Sequence, residues 1–341
     1  MRNVMIWTKI FGYFLIVLAI YLLVCLFASI APVLLNTLGI GIPNNSLLSK
    51  QHNYYFDAPM RSTMQGDAGC VEADNKLGYR PKLGDCVFKN FEFDTVLKFD
   101  ENGAAMPKQN MSNTKENIIV VGDSHAMGWG VSYDKTFSYL LSEKGYQVSN
   151  FSMSSYGTEQ EVLSAISSEQ FNASDTIIIQ YCANDIVHNR QNINQYSQGL
   201  FNDYKGRTRT EFTLYDKLHN AAKWHVEKFS MEDFFLFPLK IINSSFKKFE
   251  QPKSASSSHE HQKFVMNILN KYDALKTKNI IIFYSNGHGK IFDNWDNSKG
   301  KIKFVDLDLK RFHYNMIDDH LNDTGHEYIA IKLDVLLSEI Q

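Results

Sequence analysis

Between Lys9 and Lys50 the chain carries no charged side chain, and Ile10 to Leu35 is apolar apart from Ser29 and a few small or aromatic residues. Crossing a bilayer takes about 20 apolar helical residues. The pattern therefore predicts a transmembrane anchor over 10–35 behind a cytoplasmic tail, 1–9. Arg2 and Lys9 precede the anchor with no acid among them, which keeps the N-terminus cytoplasmic. A cleaved signal peptide ending near Ser29-Ile30-Ala31 is the competing reading, although signal cores run about 7–15 residues. On either reading the rest of the chain leaves the cytoplasm. Further along, Ile118-Ile119-Val120-Val121 is a β-branched run of the kind that is buried on both faces of a sheet. Similar runs predict strands over 147–151, 176–181, 279–284 and 302–305. Apolar residues at helical spacing predict helices over 136–144, 158–168, 261–276 and 324–340. Alternation of this kind indicates an α/β fold with a doubly wound parallel sheet of about five strands in a flavodoxin-like arrangement.

The remaining segments follow other patterns. Residues 36–60 contain Pro, Gly and Asn and read as a stalk. Residues 61–115 carry short strand-like runs such as Val87 to Phe93, a small β-rich elaboration on the main domain, 116–341. Residues 190–260 break the alternation and read as an inserted lid or partner surface. Helices are expected there around Leu214–Phe229 and Phe234–Phe246. The Phe-rich run from Phe229 to Phe246 reads as a buried helix contact, with an acyl-binding wall or a membrane-facing surface as the other readings.

Composition changes this picture little. A chain of 341 residues, 44% hydrophobic and 21% charged with a net charge of -2, is an ordinary globular mixture. It has no basic stripe, so nothing points to a nucleic-acid partner. Cys25 and Cys182 read as apolar-segment and core thiols. Cys70 and Cys86 lie in a polar segment where an oxidising compartment would join them in a disulfide; free thiols are the alternative. No cysteine or histidine spacing reads as a zinc site. His259 and His261 flank Glu260 in a Ser-rich stretch and read as solvated rather than as metal ligands.

The chemistry lies in two short segments. Gly122-Asp123-Ser124-His125 follows the first strand, and in open parallel sheets reactive groups sit just beyond strand carboxyl ends. A serine there is a nucleophile only if a base can take its proton. Asp318-Asp319-His320-Leu321-Asn322 supplies a histidine near the other end of the chain. Taken alone, Ser124 reads as a turn serine capping the next helix. Asp123 reads as fixing the turn, and His326 as part of the last helix.

With Cys182-Ala183-Asn184-Asp185 between them, these segments resemble the blocks of the SGNH (GDSL-like) hydrolase superfamily, over roughly residues 116–341. The resemblance implies a flavodoxin-like sheet and a serine esterase or acyltransferase. Ser124 is then the nucleophile and His320 the base. The family more often has its acid three residues before the histidine, where this chain has Ile317, and Asp318, two before His320, takes that role. A dyad oriented by a backbone carbonyl is the alternative. The oxyanion hole falls to the Ser124 N–H, the Asn184 amide and the N–H of Ser155, which stands where the family has glycine. A backbone donor needs no glycine if Ser155 sits in an ordinary dihedral region. His125, Gly157 and Asp185 are expected to line the substrate cleft. No metal or organic cofactor is implied. Membrane-anchored relatives resemble enzymes that remove or add O-acetyl groups on cell-envelope carbohydrate; transfer would call for a membrane acyl-donor partner protein. An inactive binding or scaffold protein is the reading from another class.

Overall fold

The computed structural model describes residues 2–37, 64, 69–89, 93–101, 103, 105, 114–182, 185, 235, 258–285, 300–315 and 320–340. The chain divides into two units, one of Met1–Arg61 with Thr210–Glu250 and one of Ser62–Arg209 with Gln251–Gln341. In the first, Arg2–Thr37 forms a single helix, α1. Its segment Lys9–Phe27 has a mean hydropathy of 2.8 and is long and apolar enough to cross a membrane. The first two residues of the expected stalk, 36 and 37, continue α1; the rest of it and almost all of the 190–260 insertion, with its predicted helices and Phe-rich run, lie outside the described residues.

The second unit is built on five parallel strands: β5 (Asn117–Val121), β6 (Gln147–Asn150), β7 (Thr176–Tyr181), β8 (Asn279–Tyr284) and β9 (Ile302–Val305). Their order across the sheet is β6-β5-β7-β8-β9. By order along the chain this is 2-1-3-4-5, the flavodoxin-like arrangement. Side chains alternate between faces along a strand. Ile119 and Val121 of β5 accordingly join one buried cluster with Ile177, Ile179 and Val265, while Ile118 and Val120 join another with Ile178, Ile281 and Leu333. Two covered faces explain the unbroken apolar runs of the central strands.

Helices α2 (Ser124–Met127), α3 (Phe137–Glu143), α4 (Thr158–Ile166), α5 (Gln170–Ala173) and α6 (Ser258–Lys271) lie in the crossovers, and α7 (Asp323–Ile340) follows the last strand. Thr136 is the N-cap of α3, accepting a hydrogen bond from the Tyr139 N–H at 3.3 Å, and lies just outside the helix. The helix expected over 261–276 starts at Ser258 and stops at Lys271. A tighter turn, Asp273–Thr277, follows, with the Leu275 N–H donating to the Tyr272 carbonyl at 3.0 Å.

His261 departs from expectation. It is 2% exposed, and its Nδ1 lies 2.7 Å from the Tyr181 hydroxyl. The first turn of α6 packs onto the carboxyl end of β7, so this histidine is a core residue and not a solvated one.

Before the sheet come two antiparallel hairpins, β1 (Val71–Asp74) with β2 (Gly78–Pro81) and β3 (Gly84–Lys89) with β4 (Asp94–Phe99). A Cys70–Cys86 disulfide ties the two hairpins together. Closing a loop of this length stabilises a fold by about 3 kcal/mol. Ala105 bridges both Phe99 and Asn150, which fastens this module to the end of β6. Tyr79, Leu97 and Phe99 share a buried cluster with Met127, Trp129, Met153 and Tyr156 of the main fold.

Candidate active site

The turn after β5 is held from every side. A Cβ on Gly122 would come within 2.6 Å of Gln180 Oε1 and 2.7 Å of the Ala126 Cβ, so the position has room only for glycine. Gln180, on β7, accepts hydrogen bonds from the backbone N–H groups of Asp123 and Ala126, each at 3.1 Å. Asp123 caps α2, its carboxylate accepting from the His125 N–H at 2.9 Å. Ser124 is therefore the first residue of a rigid helical turn, at the carboxyl end of a central strand, with 8% of its surface exposed.

His320 meets it there. Its Nε2 lies 2.6 Å from the Ser124 hydroxyl oxygen, across 196 positions of sequence. The segment carrying His320 is fixed by backbone and by Asn322. The Asn315 N–H donates to the His320 carbonyl at 2.8 Å, and Tyr314 pairs with Leu321. The Asn322 amide donates to the Phe312 and Tyr314 carbonyls, at 2.9 and 3.0 Å, and its carbonyl oxygen accepts from the Gly325 N–H at the start of α7. The imidazole of His320 stacks against His125 at 4.8 Å and against Trp129 at 4.9 Å. Asp318 and Asn184 lie outside the described residues.

The loop after β6 runs alongside the Ser124 turn. The Phe151 N–H donates to the Val120 carbonyl at 2.8 Å and the Met153 N–H to that of Gly122 at 3.1 Å. Ser155 does not sit in an ordinary backbone region: its φ is 63°, in the left-handed well. The residues on either side hold it there. The Tyr79 hydroxyl donates to the Ser154 carbonyl at 2.6 Å, and the Tyr156 hydroxyl donates to the Tyr79 carbonyl at 2.5 Å. The cost of a non-glycine residue in this region is about 1–3 kcal/mol.

Of the other expected cleft positions, His125 is 3% exposed and stacks on His320. Gly157 is buried as the N-cap of α4, with its N–H donating to the Gln160 side chain at 3.2 Å. Asp185 is fully buried and accepts the Cys182 N–H at 3.0 Å. Burial, and then repulsion from Asp123, hold its carboxyl well above the usual range. Glu161 on α4 is buried likewise, its pKa raised by burial and then by Asp185 and Asp123. Among the described residues neither Glu161 oxygen meets a hydrogen-bond partner. Asp123, His125 and Cys182 bring ligand-type atoms within 4.8 Å of one another. Asp123 is engaged in capping the turn, His125 in stacking on His320, and Cys182 is a core thiol at the end of β7. His326 is engaged with the start of α3. Its Nδ1 accepts the Phe137 N–H at 3.1 Å, and burial, with a smaller effect from His125, pushes it down to about 3.

Three residues that build the site went unread in the sequence: Gln180, Tyr79 and Trp129. Two had a signal. A glutamine inside an otherwise apolar strand needs a buried partner, and glycines on both sides of Trp129, directly after the Ser124 block, mark a sharp reversal. Tyr79 had none, because its partner is 75 positions away.

No family model and no curated protein matches the chain. The chain is similar to solved GDSL-type lipases and esterases. A lipase from a goat rumen metagenome shares 13% identity, with 65% of this chain and 97% of that one covered and a TM-score of 0.34. A protein assigned to the G-D-S-L lipolytic family of Desulfitobacterium hafniense shares 11%, covering 63% and 98%, with a TM-score of 0.34. An acetyl xylan esterase from Butyrivibrio proteoclasticus shares 13%, covering 68% and 66%, with a TM-score of 0.35. At such identities no residue role is carried across, and the functional reading rests on the geometry of the site itself.

Proposed function

We propose that the protein is a serine ester hydrolase. The observation that carries this reading is the 2.6 Å approach of His320 Nε2 to the Ser124 hydroxyl at the carboxyl end of β5. That distance lies within the range for a base that takes a proton from a nucleophile. Ser124 Oγ attacks the ester carbonyl carbon while its proton passes to His320 Nε2. The tetrahedral oxyanion collapses, the alcohol leaves with the proton from His320, and Ser124 holds the acyl group. Water, deprotonated by His320, then releases the acid and frees Ser124. Asp318 orients the imidazole, and the N–H groups of Ser124 and Ser155 with the Asn184 amide receive the oxyanion. Losing one such donor typically costs about 2.7–4 kcal/mol of barrier.

The proposed substrate is an O-acyl group, an O-acetyl above all, on cell-envelope carbohydrate. The proposed setting is outside the cytoplasm, behind a single span over 10–35. Supporting it are the apolar segment Lys9–Phe27 and the Cys70–Cys86 disulfide, a bond typical of oxidising compartments. The test is labelling of the full-length protein by a fluorophosphonate, with hydrolysis of p-nitrophenyl acetate. Wild type labels and turns over; Ser124→Ala does neither. Equal, absent labelling of both proteins refutes the enzyme reading. Adding a glycan acceptor separates the two fates of the acyl group, since formation of acylated glycan in place of acetate assigns transfer.

A further inference from the structure

The imidazole of His320 has an indole against it. Trp129 stacks on it at 4.9 Å with 20° between the ring planes, and is 2% exposed. The same turn that carries Ser124 sets the indole in place. Gly128 closes α2 at φ 99°, Gly130 follows at φ 86°, and between them the Trp129 N–H donates to the Ser124 carbonyl at 3.0 Å. The ring of Phe93, just before β4, meets the indole edge-on at 6.5 Å. A Cβ on Gly130 would come within 2.8 Å of that ring, so the turn after Trp129 packs directly on Phe93 and has room only for glycine.

We infer that Trp129 is a positioning residue for His320 that also stabilises its protonated form. The face of an indole attracts a cation within about 6 Å of its centre. His320 becomes a cation only as it takes the proton of Ser124. The attraction therefore grows along the reaction and lowers the barrier, where an interaction of equal strength at the start and the summit would not. Other groups set the background. His125, on the same imidazole, helps only while neutral, and Tyr314 packs edge-on to His125 at 6.2 Å. The buried carboxyls of Asp123, Glu161 and Asp185 interact with one another beneath the turn, and His326 feels His125. Asp318 and Asp319 directly precede His320 in sequence.

The inference rests on Ser124 and His320 being nucleophile and base, so its test has a readout that needs no turnover. The full-length protein in detergent is titrated by NMR, the His320 signals being assigned by their loss in His320→Gln. In Trp129→Leu, His320 titrates about half to one pH unit lower than in wild type, and in Trp129→Phe by less. The acid limb of kcat/KM on p-nitrophenyl acetate moves down in step, and kcat falls about tenfold in the leucine variant. A folded Trp129→Leu whose His320 titrates as in wild type overturns the inference, whatever its activity. Should Trp129→Leu not fold, fluorinated tryptophans keep the shape and weaken only the attraction. His320 then titrates lower with each added fluorine, and a flat series overturns the inference. Absent fluorophosphonate labelling of wild type refutes the hydrolase reading and leaves the titration to judge Trp129.

Discussion

Ser155 and Gln180 show how single residues set the site. Ser155 is held at φ 63° although it has a side chain. Serine tolerates this at a cost, but a β-branched residue in the same well is a genuine outlier. Ser155→Gly is expected to keep activity, with stability within about 1 kcal/mol of wild type, because relieved strain offsets the glycine's extra unfolded-state freedom. Ser155→Val is expected to lose about 1–2 kcal/mol and most of kcat. Denaturant melts and p-nitrophenyl acetate kinetics on the pair check both. Gln180 makes a different contribution. Its side-chain oxygen serves two backbone N–H groups of the Ser124 turn, from a fully buried position on β7. Gln180→Leu leaves both donors unsatisfied, at about 1–3 kcal/mol each. The expected outcome is a large fall in melting temperature and slower fluorophosphonate labelling of Ser124 in the protein that remains folded.

At the scale of elements, the sheet was legible because its strands announce themselves. A continuous run such as Ile118–Val121 has only one comfortable place, a central strand covered on both faces, and the structure puts β5 there, between β6 and β7. The Ser124 and His320 segments, which the structure brings within 2.6 Å of each other, were legible for a related reason: each sits at the end of a strongly patterned element. Contacts between distant elements were not legible. The module of β1 to β4 was expected as an elaboration, yet sequence spacing cannot say that Tyr79 holds the loop carrying Ser155. Reciprocal hydrogen bonds do so, Tyr79 hydroxyl to Ser154 carbonyl and Tyr156 hydroxyl to Tyr79 carbonyl, and Gln160 adds a third link to the Leu77 carbonyl at 2.9 Å. The burial of His261 was hidden for the same reason, since a polar-looking stretch gave no hint of Tyr181. Tyr79→Phe removes one link and keeps the ring. It is expected to cost about 1 kcal/mol of stability. If the Ser155 N–H receives the oxyanion, kcat falls about threefold to tenfold with KM little changed, because a loosened donor is felt mainly in the transition state.

At the scale of the whole molecule, the acids under the site make stability depend on pH in a definite sense. Glu161 on α4 and Asp185 after β7 are both fully buried, and burial raises both pKa values, with repulsion from Asp185 and Asp123 added at Glu161 and from Asp123 at Asp185. The folded state thus keeps protons that the unfolded chain gives up in the ordinary carboxylate range. Unfolding then releases protons, and stability falls as pH rises from that range toward the folded values. Each retained proton costs about 1.4 kcal/mol per pH unit across this window. His326 acts in the opposite sense. Its folded pKa is pushed down to about 3 by burial, so stability is lost as pH falls below the ordinary histidine range. Between the ordinary carboxylate and histidine ranges the two effects oppose each other, and two carboxyls outweigh one imidazole, so stability still falls as pH rises there. Glu161→Gln removes one titrating group from the alkaline side without changing shape. Melting temperatures taken from pH 5 to 9 are expected to fall less steeply in Glu161→Gln than in wild type, and to cross above it at the alkaline end. Parallel curves would mean that Glu161 is ionised in the folded state, with a cation or donor near it that compensates its charge.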